Sequence, residues 1–329
     1  MPAFDVRSPL PLTRMNPVYP GVFGIAGTST ETGLRQHCTG VVIYVDPNIL
    51  GVSDLRPGTD ALFPLASVGT ALQKVEPYRG DEIRVMANDG WTYGSGAEYA
   101  TAISESVTVN VPGVKITGVC PSGALGPVWY PAADGETAIT VNALDVLIEG
   151  FCFTERPGSG GAETAIAAEW DGVTLWGENI SVRNCFFGDG LTTGIDLEYC
   201  WNCFIENNVF QHVVGAAVYA DPGGSGIGYT RFLNNWFQDC GDALSIAGAT
   251  DCLIQRNVLH NSAAQAGAAA TNEGILTSGG SSNAICENWF SCLLPVAAPG
   301  DFNDFNTPSA TDSWIANYCT NGLVTLPPT

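Results

Sequence analysis

Lysine is nearly missing from this 329-residue chain. Only Lys74 and Lys115 occur, and 12 Lys and Arg face 33 Asp and Glu, a formal net charge of −21. So acidic a chain excludes nucleic-acid binding by phosphate neutralisation. It also repels anionic polysaccharide unless a cation intervenes. Charged residues of any sign are scarce, at 14%, and Met occurs three times, so the helix formers Lys and Met are sparse. The three histidines, His37, His212 and His260, are scattered. No apolar run approaches a membrane span, so no membrane partner is expected. The opening MPAFDVRSPLPLTRMNPVYPG has no apolar core of a secretion signal, and its prolines forbid one. The protein is therefore expected to be made in a cytoplasm and to leave it inside a particle or by lysis.

Cysteine, in contrast, is abundant, with 11 copies. An odd count at irregular repeat positions argues against a disulfide framework. Cys203 and Cys252 fall at the same repeat position two coils apart, roughly 9.6 Å, beyond bridging distance. These thiols are expected to act as small buried hydrophobes. Cys200 and Cys203 form C-x-x-C without a second ligand pair, so no zinc site is expected, nor any other metal or cofactor. A hydrophobic content of 45% with 39 glycines supports one elongated domain with a continuous core.

The most informative stretch runs from Val182 to Phe290. One six-residue phrase returns as VRNCFF (182–187), IENNVF (205–210), FLNNWF (232–237), IQRNVL (254–259) and ICENWF (285–290), after IEGFCF (148–153) and before WIANYC (314–319). The copies start 22 to 34 residues apart, which marks one structural unit per repeat with variable loops. The phrase is too short and too rich in β-branched and aromatic residues for a helix. Its first position is always large and apolar, and its fourth is Asn208, Asn235, Asn257, Asn288 and Asn317 in successive copies. Asparagine tolerates a left-handed bend, so each phrase reads as two strands joined at that residue. About seven to ten residues on, a second apolar phrase recurs, as Gly194–Leu197, Ala217–Ala220, Ala243–Ile246, Gly274–Thr277 and Gly322–Thr325. Three short strands per turn define a right-handed parallel β-helix coil. Equivalent residues then lie about 4.8 Å apart, and the asparagines stack as an internal ladder. This phrasing resembles the pectate-lyase-like β-helix superfamily over residues 110–326. The superfamily holds lyases, hydrolases and non-enzymatic viral appendages, so the resemblance implies fold more than activity.

Three regions follow. Residues 1–40 form an extended arm, held by Pro2, Pro9, Pro11, Pro17 and Pro20 in polyproline or strand geometry. Its apolar Leu10, Leu12, Val18 and Tyr19 need a surface, on this β-helix or on a neighbouring subunit. Residues 41–96 hold a buried strand, VVIYVDPNI, then a capping helix begun at Pro64, carrying Leu65, Val68, Leu72 and Val75 and ended by Pro77 and Gly80. Residues 97–329 form the parallel β-helix. The wording G-T-D-x-x-x-P-L-A-S-V-x-x-A-L…G-D-x-I-x-V across 41–88 resembles the leading segment of many β-helix proteins encoded by tailed bacteriophages.

Catalysis on this scaffold needs polar groups converging from neighbouring coils. Glycoside hydrolysis needs two carboxylates about 5–9.5 Å apart. The outward column of the second phrase, Asp196, Tyr219, Ser245, Leu276 and Val324, offers one carboxylate. Glu149, Arg183 and Glu206 alternate in sign and read as a surface salt-bridge ladder. Cys240–Ile246, CGDALSI, is similar to the G-D-D segment of polygalacturonase-like hydrolases, but one Asp is missing and no N-T-D, G-H-G or R-I-K follows. The alternative catalytic candidates are Asp239, Asp242, Asp221 and His212. In the fifth position stand Phe186, Val209, Trp236, Val258, Trp289 and Tyr318. Adjacent strand residues face opposite ways, so the fifth or the sixth column faces outward and needs a cover. Phe186, Trp236, Trp289 and Tyr318 are therefore candidate interface residues, with the arm's four apolar side chains. The expected function is a non-enzymatic bacteriophage virion protein, a capsid decoration (cement) or appendage. Its expected form is a homotrimer bound to major capsid or other virion proteins. The alternative is a tailspike-like depolymerase acting on surface polysaccharide.

Overall fold

A computed structural model describes residues 40–49, 51–86, 102–119, 126–158, 162–168, 177–188, 190–220, 226–261, 274–292, 306–319 and 322–324. The side chains of 261, 292, 306, 307, 319 and 322–324 are excepted. The expected arm, and with it Leu10, Leu12, Val18 and Tyr19, lies outside these residues, as does Asp221.

The described chain is a right-handed parallel β-helix with three sheets of ten, eight and ten strands. The first sheet runs from Val42–Val45 and Glu82–Met86 through Lys115–Val119 to Ser313–Ile315. Its central column is Ile43, Ile83, Ile116, Ile148, Val182, Ile205, Phe232, Ile254, Ile285 and Trp314, all buried. Parallel pairing keeps these residues in one register from rung to rung. The second sheet holds the other half of each phrase, including Phe186–Phe187, Val209–Gln211, Trp236–Gln238, Val258–Asn261 and Trp289–Cys292. The third carries Val107–Val109, Thr137–Val141, Thr164–Ala168, Thr193–Leu197, Ala216–Tyr219, Asp242–Ser245, Ile275–Leu276 and Asn306–Thr307.

The sixth position of the phrase faces inward. Phe153, Phe187, Phe210, Phe237, Leu259 and Phe290 are fully buried. Phe153, Phe187, Phe210 and Phe237 stack with centroids 5.3, 4.6 and 4.9 Å apart. Burying each ring contributes about 2–3 kcal/mol, and the offset stack adds to it. Trp129 precedes Phe153 in this column, after Ile103, and gives its indole N–H to the Glu105 carbonyl at 2.8 Å.

The helix is shorter than its apolar spacing predicts. It spans Val68–Leu72, because Leu65 is already committed to pairing with the first strand. The Leu65 N–H bonds Tyr44 O and the Asp46 N–H bonds Leu65 O, both at 2.9 Å. Ser67 is the N-cap, accepting from the Thr70 N–H. The Glu105 carboxylate takes the Val68 and Gly69 N–H groups at 3.1 and 3.0 Å. Val68, Ala71 and Leu72 face inward, and the helix touches the first two strands of the first sheet and Val107–Val109. Asp81 ties down the same region. It holds Arg79 in two bonds of 2.7 Å and accepts the Val41 and Glu76 N–H groups.

The other end differs from the sequence expectation. Gly322–Val324 is not a third-sheet strand; it turns back antiparallel on Asn317–Cys319. Asn306–Thr307 takes the third-sheet place instead, pairing with Ile275–Leu276. This antiparallel pairing covers the edge of Asn317–Cys319, which would otherwise present unpaired backbone groups.

Candidate functional site

The asparagines expected as a ladder form one. Asn208, Asn235, Asn257, Asn288 and Asn317 are all buried. Each Oδ1 from Asn235 onward accepts the backbone N–H and the Nδ2 of the asparagine one coil earlier, at 2.9–3.1 Å. Each Nδ2 also donates to a carbonyl of the preceding coil, such as Val182 O, Ile205 O and Phe232 O. Cys185 opens the column, giving its N–H to Asn208 Oδ1 at 3.0 Å. The bend itself belongs one residue earlier than expected. Gly150, Asn184, Asn207, Asn234, Arg256, Glu287 and Ala316, at the third position, carry the positive φ. That turn leaves the fourth residue's amide free to point inward.

A second polar column was not foreseen. Two residues before each first-sheet apolar position stand Cys203, Thr230, Cys252, Asn283 and Asp312. Asn283 Oδ1 accepts the Cys252 N–H at 3.0 Å, and Asp312 Oδ1 accepts the Asn283 N–H and Nδ2 at 3.1 and 2.9 Å. Its signal was present at a fixed offset from the main phrase. Two of its five members are cysteines, which hid it.

These interior columns leave the fifth position outside. Its fate changes along the axis. Val128, Cys152 and Phe186 are buried, Phe186 at 6% exposure, and form their own cluster with Ala102 and Val209. Farther on, Trp236, Trp289 and Tyr318 are 45%, 51% and 44% exposed. They stand in one register, with Val209 before Trp236 and Val258 between Trp236 and Trp289, and Trp289 and Tyr318 stack at 6.3 Å. Phe186, expected at an interface, is therefore already covered, while the other three are open. Beside this strip runs an outward polar column, Gln211, Gln238, His260 and Ser291, paired in the same rungs.

The catalytic alternatives are only partly brought together. His212 and Asp239 occupy one corner in consecutive coils, both with positive φ, 55° and 54°. His212 Nε2 lies 3.6 Å from Asp239 Oδ2, and Gln238 Nε2 donates to the same oxygen at 3.4 Å. Asp242 begins the next strand, and its N–H bonds Gly215 O at 2.8 Å. At 3.6 Å the imidazole and the carboxylate are close enough for an ion pair but beyond hydrogen-bond distance. Among the described residues no three His, Cys, Asp or Glu converge as metal ligands. The Glu149–Arg183–Glu206 column also needs correction. Arg183 is buried, not a surface group, and reaches Glu149 at 3.1 Å while Asn184 Nδ2 donates to the other Glu149 oxygen at 2.8 Å.

A different acidic corner escaped the sequence reading. Burial pushes the Asp145 carboxyl above its usual range, against a 3.0 Å bond from Asn179 Nδ2. Glu178 is pushed up by burial and by the charge of Asp145. Trp201 and Tyr229 lie along the same corner, 5.6 Å apart. Asp145 and Glu178 are 33 residues apart, and only the rung register brings them together. The cysteines are buried at Cys152, Cys185, Cys200, Cys203, Cys240 and Cys252, and unbridged. Burial pushes the Cys240 and Cys252 thiols up to about 12 and the Cys200 thiol well above its ordinary value, so these thiols stay protonated and unreactive.

Comparison with known proteins agrees with the architecture. A family profile described as "Right handed beta helix region" matches residues 171–298. Among solved structures, a pectate lyase variant from Xanthomonas campestris is 17% identical, with a TM-score of 0.51 over 86% of this chain and 80% of that one. A rhamnogalacturonan lyase is 13% identical over 88% of this chain and 79% of that one, at a TM-score of 0.42. The Streptococcus pneumoniae surface protein and adhesin PfbA is 13% identical over 73% and 76%, at 0.33. No curated protein matches the chain. The chain is thus a right-handed parallel β-helix, a likeness of fold alone.

Proposed function

We propose that the protein is a non-enzymatic structural component of a bacteriophage particle, a capsid decoration or appendage protein that acts as a homotrimer. The observation that carries this reading is the open aromatic strip. Trp236, Trp289 and Tyr318 stand half exposed on a flat sheet face, and bulky apolar groups stacked in that way need a protein cover. The viral assignment rests on the resemblance of residues 41–88 to the leading segment of phage β-helix proteins. Partners are then major capsid or other virion proteins.

A second reading, a tailspike-like polysaccharide depolymerase, is favoured by one observation. The strip runs beside Gln211, Gln238 and His260, and aromatic planes next to amide and imidazole groups suit a sugar chain. Its acid and base would come from Asp239, with His212, and Asp242. Incubating the purified protein with host capsular polysaccharide separates the two readings. The structural reading expects no oligosaccharide, and release that disappears in Asp242→Ala would overturn it.

A further inference from the structure

The open strip has a candidate cover within the chain's own sequence. We propose that residues 9–20 of a neighbouring copy lie along Trp236, Trp289 and Tyr318, so that exchanged N-terminal arms knit the oligomer together. This rests on the homotrimer reading above and names what fills its contact.

Spacing gives the first argument. A polyproline helix repeats every three residues, about 9.3 Å. Trp236 and Trp289 are two rungs apart, with Val258 between, which is about 9.6 Å. Successive members of one polyproline face thus meet successive tryptophans. The arm carries such a face: Pro9, Leu12, Met15 and Val18 are spaced by three and all apolar. Proline-rich segments bind aromatic-lined surfaces in this manner, because little conformational freedom remains to be lost.

Charge gives the second. Residues 1–39 hold three of the 12 bases and two of the 33 acids, a net of +1. That leaves nine bases against 31 acids, a net of −22, for the rest of the chain. Copies of so acidic a body repel one another. The arm is a long segment free of that excess, so contact through it brings copies together with least repulsion.

Reach gives the third. The described chain begins at Gly40, next to the first strand, and Val41 is bonded to Asp81. Trp236 follows the seventh strand of the first sheet, Arg231–Leu233, roughly 29 Å farther along the axis. The 22 residues from Val18 to Gly40 would extend to about 68 Å in polyproline geometry. That length spans the axis and also the passage to an adjacent copy.

The test uses the full chain with a photo-crosslinking amino acid at position 15, mixing light and heavy-isotope-labelled copies before refolding. Cross-links from the arm to peptides containing Trp236 or Trp289, about half of them of mixed isotope, are expected. A double variant, Leu12→Asp with Val18→Asp, should lower the trimer's association constant at least tenfold, and Trp289→Ser should do the same from the other side. A trimer that forms without such cross-links and is insensitive to all three substitutions overturns this inference alone. Cross-links only within single copies also overturn it. A full-length chain that stays monomeric overturns the homotrimer reading beneath it.

Discussion

Asn257→Ala removes the middle of the interior ladder and gives the account its most quantitative prediction. Asn257 is fully buried and makes four side-chain bonds. Its Oδ1 accepts from the Asn235 N–H and Nδ2 at 2.9 and 3.0 Å. Its Nδ2 donates to Phe232 O and Asn288 Oδ1 at 2.9 and 3.0 Å. After truncation, Asn235 Nδ2 keeps Ile205 O, and Asn288 Oδ1 keeps the Asn257 N–H. The Asn235 N–H loses the acceptor that the ladder gave it. One stranded buried donor at about 1–3 kcal/mol, with weakened neighbours at about 1 kcal/mol each, sums to about 3–5 kcal/mol. Urea unfolding followed by far-ultraviolet circular dichroism reads this as a shift in midpoint with unchanged slope. Asn257→Asp keeps both acceptor bonds but sets a carboxylate against Asn288 Oδ1. It should destabilise at neutral pH and recover partly in acid. A cost below about 1 kcal/mol for the alanine variant would refute the claim that the ladder holds the coils in register.

Phe210→Ala opens the centre of the phenylalanine stack and should cost about 3–5 kcal/mol in the same assay. A Cβ on Gly241 would meet the carbonyls of Val214 and Gly215, so Gly241→Ala should cost about 1–3 kcal/mol by overpacking. Stability should peak on the acid side. Burial raises the Glu105, Asp145 and Glu178 carboxyls above their ordinary values. The native state therefore holds these protons longer than the unfolded chain, and stability rises as pH falls from neutral through the raised values. Asp81 acts in the opposite sense. Its burial is outweighed by Arg79 and two backbone donors, so its carboxyl lies below the ordinary 3.8, and its contribution is lost as pH falls below that value. Melting temperature against pH should thus climb, then drop, and Glu105→Gln should flatten the climb; a monotonic fall from pH 7 would contradict the assignment. A thiol reagent should label Cys240 and Cys252 only after unfolding, and rapid labelling of the native protein would show that these sites open.

The repeat was legible because a parallel β-helix puts equivalent residues of each copy in one column. A phrase seen in sequence is therefore a column seen in space, and the asparagine ladder and the phenylalanine stack follow from it. What escaped depends on details that the phrase does not encode. The left-handed residue sits one place before the ladder asparagine, and at that place Asn, Arg, Glu and Ala all serve, so composition gives no sign of it. Gly322–Val324 looks like another third-sheet strand, but that place is taken by Asn306–Thr307, and the apolar phrase alone does not say which sheet it joins. Asp145 and Glu178 meet only once loop lengths have been absorbed into the rung register. Phe186 matched the exposed column in pattern, yet its neighbours Val128 and Cys152 come from rungs where the phrase is degenerate.

The central claim is that this β-helix is a joining element whose outward aromatic strip is closed by other copies. Light scattering on the purified full-length chain at micromolar concentration tests it most directly. A molar mass three times that of the 34.5 kDa chain, reduced to the single-chain value by Trp289→Ser, is the predicted result. A full-length protein that remains at the single-chain mass would contradict it.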